Sequence, residues 1–221
     1  LQLAIAMAGL SYDGLLHDLG ALSRDYCLRT ETQQGMMAQE IADARRISAL
    51  AHAWHIVDSV NRLREVLAAT PGIKQDAEYA LFRRNTEDVE QLRHINQHLE
   101  TKKTLSELID KRIPTWGRLS WVWKQKDSES LVLFTIIPGQ LFESTHPLLN
   151  PCGKEFTVPV GLVTLDSTVR VCLSEVICKE VTRAVRLLEK NGIIDPEGSP
   201  PAMILAMEIA FSEEFAGQGE G

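Results

Sequence analysis

The chain has 221 residues, 44% of them hydrophobic and 24% charged. That is long enough to bury a core and close to the globular average, which excludes a disordered or fibrous chain. The formal charge of −7 excludes a protein that coats nucleic acid through a broad basic surface, while leaving room for a local basic site.

The chain opens at Leu1 without an initiator Met, a basic leader or a small-residue cleavage site, and is expected to be a piece of a longer sequence. Its longest apolar run, Leu1 to Leu10, falls well short of the about 20 residues that a spanning helix needs. No membrane partner is expected, and the expected place of work is the cytoplasm. Two helices are predicted within Leu3 to Leu28, divided around Ser11 to Gly14.

From Met36 to Ala69 the spacing of Ile47, Leu50, Trp54, Val57, Leu63 and Leu67 predicts a long amphipathic helix, stopped by Thr70-Pro71-Gly72. Arg45, Arg46, Asp58, Arg62, Arg64 and Glu65 are assigned to its solvated face. A second helical stretch runs from about Gln75 to Lys111, with Val89, Leu92, Leu99, Leu105, Leu108 and Ile109 as core candidates and Pro114 as its close. A break is expected at Asn85-Thr86, with Thr86 capping a new helix.

After Pro114 the period changes. Arg118 to Trp123 and Leu131 to Ile137 are rich in β-branched and aromatic residues and predict a hairpin. Short strands follow at Phe156 to Val160, Leu162 to Leu165 and Val169 to Leu173, with a turn at Asp166-Ser167. Ser174 is expected to cap a last helix, Glu175 to Lys190, ended by Asn191-Gly192. Residues 202 to 215 could form one more short helix after Pro200-Pro201.

The fold class predicted is mainly α: an up-and-down bundle of four to five helices with a small antiparallel β insertion at about 115–173. In this division 1–114 is the bundle, 174–192 the final helix packing back on it, and 193–221 a tail.

Cys27, Cys152, Cys172 and Cys178 show no CxxC or CxxH spacing, so neither a zinc ribbon nor a redox motif is suggested and free thiols are expected. No Gly-rich phosphate loop or G-x-S-x-G serine exists, and no cofactor is expected.

The run Arg93-His94-Ile95-Asn96-Gln97-His98 is the candidate site. An Arg, a polar residue, three residues and a His on a helix of an all-α bundle resemble the signature of the HEPN family (higher eukaryotes and prokaryotes nucleotide-binding). The resemblance covers the helical segment up to about residue 112. It implies a metal-independent endoribonuclease or RNA-binding effector, in defence or toxin biology, whose site is completed across a homodimer.

The residue types suit that chemistry. Cleaving RNA without a metal needs a base for the 2′-hydroxyl, an acid for the leaving oxygen and a cation for the charge on phosphate. His98 could serve as acid or base, and Arg93 could clamp the phosphate. His94 or Asn96 could orient either one. Residues five apart on an ideal helix point about 140° apart, so Arg93 and His98 need a partner copy to converge. A homodimer, or an assembly with a partner protein, is therefore expected.

Other readings stand beside it. In a non-catalytic interaction bundle, Arg93 pairs with Asp88 or Glu90 while His98 caps or packs between helices. In a metal-binding bundle, Glu90, His94 and His98 share one face, with His52, His55 and Asp58 as a further ligand set. Arg45-Arg46, Arg62, Arg64 and Arg83-Arg84 form either a phosphate-contacting patch or, as favoured, a solvated face interleaved with acids. Trp116, Trp121 and Trp123 either stack bases or, as favoured, pack the hairpin on the bundle.

Overall fold

A computed structural model of the chain describes residues 1–28, 36–99, 101, 106, 108–110, 115–124, 131–138 and 160–194. Helix α1, Gln2–Leu28, and helix α2, Met36–Ala69, form the spine. Asp25 meets Arg45, Asp18 lies by His52, and Ile5 packs on the cluster that holds Leu63. One residue number rises as the other falls, so the two helices run antiparallel.

The expected division of α1 near Gly14 does not occur: the helix is continuous. A Cβ at Gly14 would lie 2.6 Å from the His52 ring. This glycine serves close approach of two helices instead of breaking one.

The buried stripe of α2 is Ala49, Ala53, Ile56, Val60, Leu63 and Leu67, at steps of four and three. Ile47, expected inside, is 69% exposed. The larger side chains suggested a face rotated from the true one, which is lined by alanines where α1 comes near. Thr70, Pro71 and Gly72, the last at φ 82°, stop the helix as expected.

Helix α3, Ala77–Asn85, starts on Asp76, whose carboxylate accepts the Glu78 amide. Helix α4, Glu87–Gln97, follows after the single residue Thr86. The break lies where expected, Val89 points inward and Thr86 is the N-cap of α4, its carbonyl accepting the Val89 and Glu90 amides, but its side chain makes no capping bond. Its hydroxyl donates to the Phe82 carbonyl at 2.7 Å and accepts from Arg64. The helix expected to continue to Lys111 stops at Gln97, with His98 as its C-cap. Backbone is helical again at 106 and 108–110, where Leu108 is buried and Ile109, expected inside, is 65% exposed. Leu105 lies outside the described residues.

The sheet has the order β2-β1-β3-β4, antiparallel throughout. The expected hairpin is β1, Arg118–Lys124, against β2, Leu131–Ile136, with Leu119 opposite Ile136 and Lys124 opposite Leu131. Strands β3, Val160–Asp166, and β4, Arg170–Cys172, are joined by the expected Asp166-Ser167 turn. Of the expected strand Phe156 to Val160 only Val160 is described, and it is continuous with the strand expected at Leu162 to Leu165. Leu119, Trp121, Val163, Leu165 and Val171 join Leu15, Leu19 and Ile56 in one core, so the sheet covers the α1–α2 pair.

The final helix, α5, spans 173–190: Leu173–Glu175, a π-helical turn Val176–Val181, then Thr182–Lys190. Ser174 does not cap it; its hydroxyl oxygen accepts the Val163 amide of β3 at 3.0 Å. Asn191-Gly192 ends it as expected, with Gly192 at φ 64° and the Ile193 amide reaching back to the Leu188 carbonyl. The helix expected at 202 to 215 lies outside the described residues.

Candidate functional site

Helix α4 lies against α2, and two arginines pointing in opposite directions tie them together. Arg93 reaches from α4 to α2: its Nε donates to Asp58 Oδ1 at 3.0 Å and an Nη to Glu65 Oε1 at 3.2 Å. These carboxylates, not the expected Asp88 or Glu90, are its partners. Asp58 also accepts from Arg62 at 2.7 Å, and Glu65 from the buried Asn61 at 2.7 Å. Burial alone pushes the Asp58 carboxyl up, but the bonds from Arg62 and Arg93 outweigh it, and its pKa lies below the ordinary carboxylate value.

Arg64 reaches the other way. Assigned by its charge to the solvated face of α2, it is 1% exposed. Its guanidinium donates to the Arg83 carbonyl at 2.7 Å, to Thr86 Oγ1 and to Glu90. Burial lowers its pKa, and Glu90 pulls in the opposite sense. A signal was present in the sequence. Arg64 is four residues after Val60 and three before Leu67, at the edge of the apolar stripe, where a long side chain can follow the core to a polar end.

His94 and His98 are exposed and stack edge to face, with ring centroids 4.4 Å apart and planes at 61°. They lie one turn apart at the open end of α4. The His98 amide donates to the carbonyls of His94 and Ile95, and its carbonyl accepts from Thr101. Asn96 turns away from them, with its Oδ1 buried and unpartnered among the described residues. The chain thus brings His94 and His98 together, while the Arg93 guanidinium is directed at α2.

The rival readings separate on geometry. Glu90, required by the metal alternative, is the partner of Arg64, with Arg83 at 3.8 Å. His52 lies against Gly14 with Asp18 at 3.9 Å, and His55 is exposed. Among the described residues no three His, Cys, Asp or Glu side chains could hold a metal ion.

The supposed phosphate patch is laced with acids. Arg45 bonds Asp25, Arg46 bonds Asp43, and Arg62 bonds Asp58. Trp121 and Trp123 are buried, Trp121 donating to Ser23 Oγ at 2.8 Å and stacking on Phe134. Trp116 is exposed, and its carbonyl accepts from the Trp54 indole. Cys27 and Cys178 are exposed thiols outside any disulfide, and Cys152 lies outside the described residues. No described helix is long and apolar enough to cross a membrane.

Comparison with models of known protein families, with characterised proteins and with solved structures finds no match. The functional reading therefore rests on the Arg93–His98 run and its setting alone.

Proposed function

We propose that this protein is a HEPN-like helical bundle that acts on RNA without a metal, as a homodimer, with Arg93, His94 and His98 at its site. The observation that carries the reading is the exposed His94–His98 pair, with ring centroids 4.4 Å apart and Arg93 in the same run. Two imidazoles side by side suit the proton transfers of RNA transesterification. One takes the proton of a 2′-hydroxyl as its oxygen attacks phosphorus, and the other protonates the departing 5′-oxygen, leaving a cyclic phosphate.

Arg93 uses Nε and one Nη on carboxylates, which fixes its direction but balances its charge. In the homodimer a second copy brings its own Arg93 and His94–His98 pair to the same interface. The defence or toxin role implied by the family resemblance, and the cytoplasmic setting expected from the sequence, belong to the same proposal.

The test is cleavage of a structured RNA by the purified chain in EDTA. His94→Ala and His98→Ala should each lower the rate by about 100-fold or more, with the dimer unchanged in light scattering. Equal rates in the variants, or no cleavage by the parent chain, would sink the ribonuclease reading.

The Arg93 bonds favour a second reading, a non-catalytic interaction bundle. A guanidinium held by two carboxylates of α2 is what a brace between helices requires. Under this reading Arg93→Ala lowers the stability of the chain, and RNA is left intact by every form of it.

A further inference from the structure

The first turns of α1 carry an apolar stripe that nothing among the described residues covers. Leu3, Met7 and Leu10 are 58%, 43% and 71% exposed, and steps of four and three place them on one helix face. The opposite side of the same turns, through Ile5 and Ala8, faces the core. Such a row is a contact surface awaiting a partner.

The path of the chain points to what covers it. Ile194 packs on the core cluster of Leu63, Leu67 and Leu188, the cluster against which Leu1 and Ile5 also pack. The described body therefore ends beside the start of α1. Seven residues follow, Asp-Pro-Glu-Gly-Ser-Pro-Pro, and then Ala202 to Phe211, of which nine in ten are apolar and only Glu208 is charged.

A proline-rich connection of that length reaches about 22 Å. Passing half-way round a helix of about 10 Å diameter takes about 16 Å, so the reach suffices. Met203, Met207 and Ala210 repeat the four-and-three spacing of the stripe.

We infer that residues 202–211 dock on the Leu3–Met7–Leu10 face of α1, so that the end of the chain covers its beginning. The inference does not depend on the ribonuclease reading, since none of these residues belongs to that site.

Cross-linking in the 221-residue chain tests it. Met7→Cys is paired in turn with Met203→Cys, Met207→Cys and Ala210→Cys, oxidised mildly, and the joined peptides are mapped by mass so that the native cysteines can stay. At least one pair should join within a single chain, in a yield that does not change on tenfold dilution. Adding Leu3→Lys and Leu10→Lys, both at exposed positions, should cut that yield several-fold with the circular dichroism intact. A bond found only between chains assigns the stripe to a second copy and overturns the inference. No bond in any pair, or a yield indifferent to the two lysines, overturns it as well.

Discussion

Replacing Arg64 with Met keeps the buried stem but removes the guanidinium, and the cost can be worked from what it holds. The bonds to the Arg83 carbonyl and to Thr86 are made to neutral groups in a buried setting, each contributing about 1 kcal/mol. The bond to Glu90 is to a carboxylate whose side chain is about half exposed. Water can therefore take over that charge, and the pair adds at most about 1 kcal/mol. Relief from the desolvation that lowers the Arg64 pKa works in the other direction. The net loss expected is about 2 kcal/mol, well short of the about 3–5 kcal/mol seen when a fully buried pair is broken.

Urea unfolding followed by circular dichroism reads the difference, with Arg62→Met as control because Arg62 is mostly exposed. The control should lose no more than about 0.5 kcal/mol. A double cycle with Glu90→Gln should return a coupling of about 1 kcal/mol or less. If Arg64→Met costs no more than Arg62→Met, the cross-brace is not a source of stability and the reasoning fails.

Two glycines of α1 should respond with opposite sign. Gly14→Ala meets the His52 ring and should destabilise by about 1–3 kcal/mol, whereas Gly9→Ala enters open space and should stabilise by about 0.5–1 kcal/mol; thermal melts that move the same way for both would contradict the packing. The depressed Asp58 carboxyl contributes stability that is present above the ordinary carboxylate value near about 3.9 and is lost as pH falls through its lower folded value. Asp58→Asn should flatten that acid limb of a urea-midpoint profile, and an unchanged limb would remove Asp58 from the account. Ser23→Ala leaves the Trp121 indole N–H buried without its acceptor, at a cost of about 1–3 kcal/mol by equilibrium unfolding. A neutral result would mean that the indole finds another partner.

Periodicity and breakers made much of the architecture legible. The stop at Thr70-Pro71-Gly72, the break at Asn85-Thr86, the hairpin and the Asn191-Gly192 stop all follow from local chemistry that the fold does not override. What escaped depended on neighbours distant in the chain. Gly14 looks like a breaker until His52 is placed against it. Ile47 looks buried until the alanine face of α2 is matched to α1, and Ser174 looks like a cap until β3 presents the Val163 amide.

The candidate site divided along the same line. That His94 and His98 share a face could be read from their spacing of four. That Arg93 turns to Asp58 and Glu65 could not, because which carboxylates it meets is set by how α2 and α4 cross.

The corner between α3 and α4 has a bearing on the order of assembly. No side chain caps the start of α4; besides the backbone bonds through Thr86 and its hydroxyl bond to Phe82, the corner is tied by two charged groups arriving from separate helices. Arg64 comes from 22 residues before Thr86. Glu180, nearly buried in α5 and bonded to Arg183 at 2.5 Å, meets Asn85 at 3.1 Å from 95 residues away. Closing a loop of the second kind costs more chain entropy than closing one of the first, and its contacts form late on the folding path. The Glu180–Asn85 tie of the corner that precedes the Arg93–His98 helix is then expected among the later contacts to form, and among the first to loosen when α5 is disturbed.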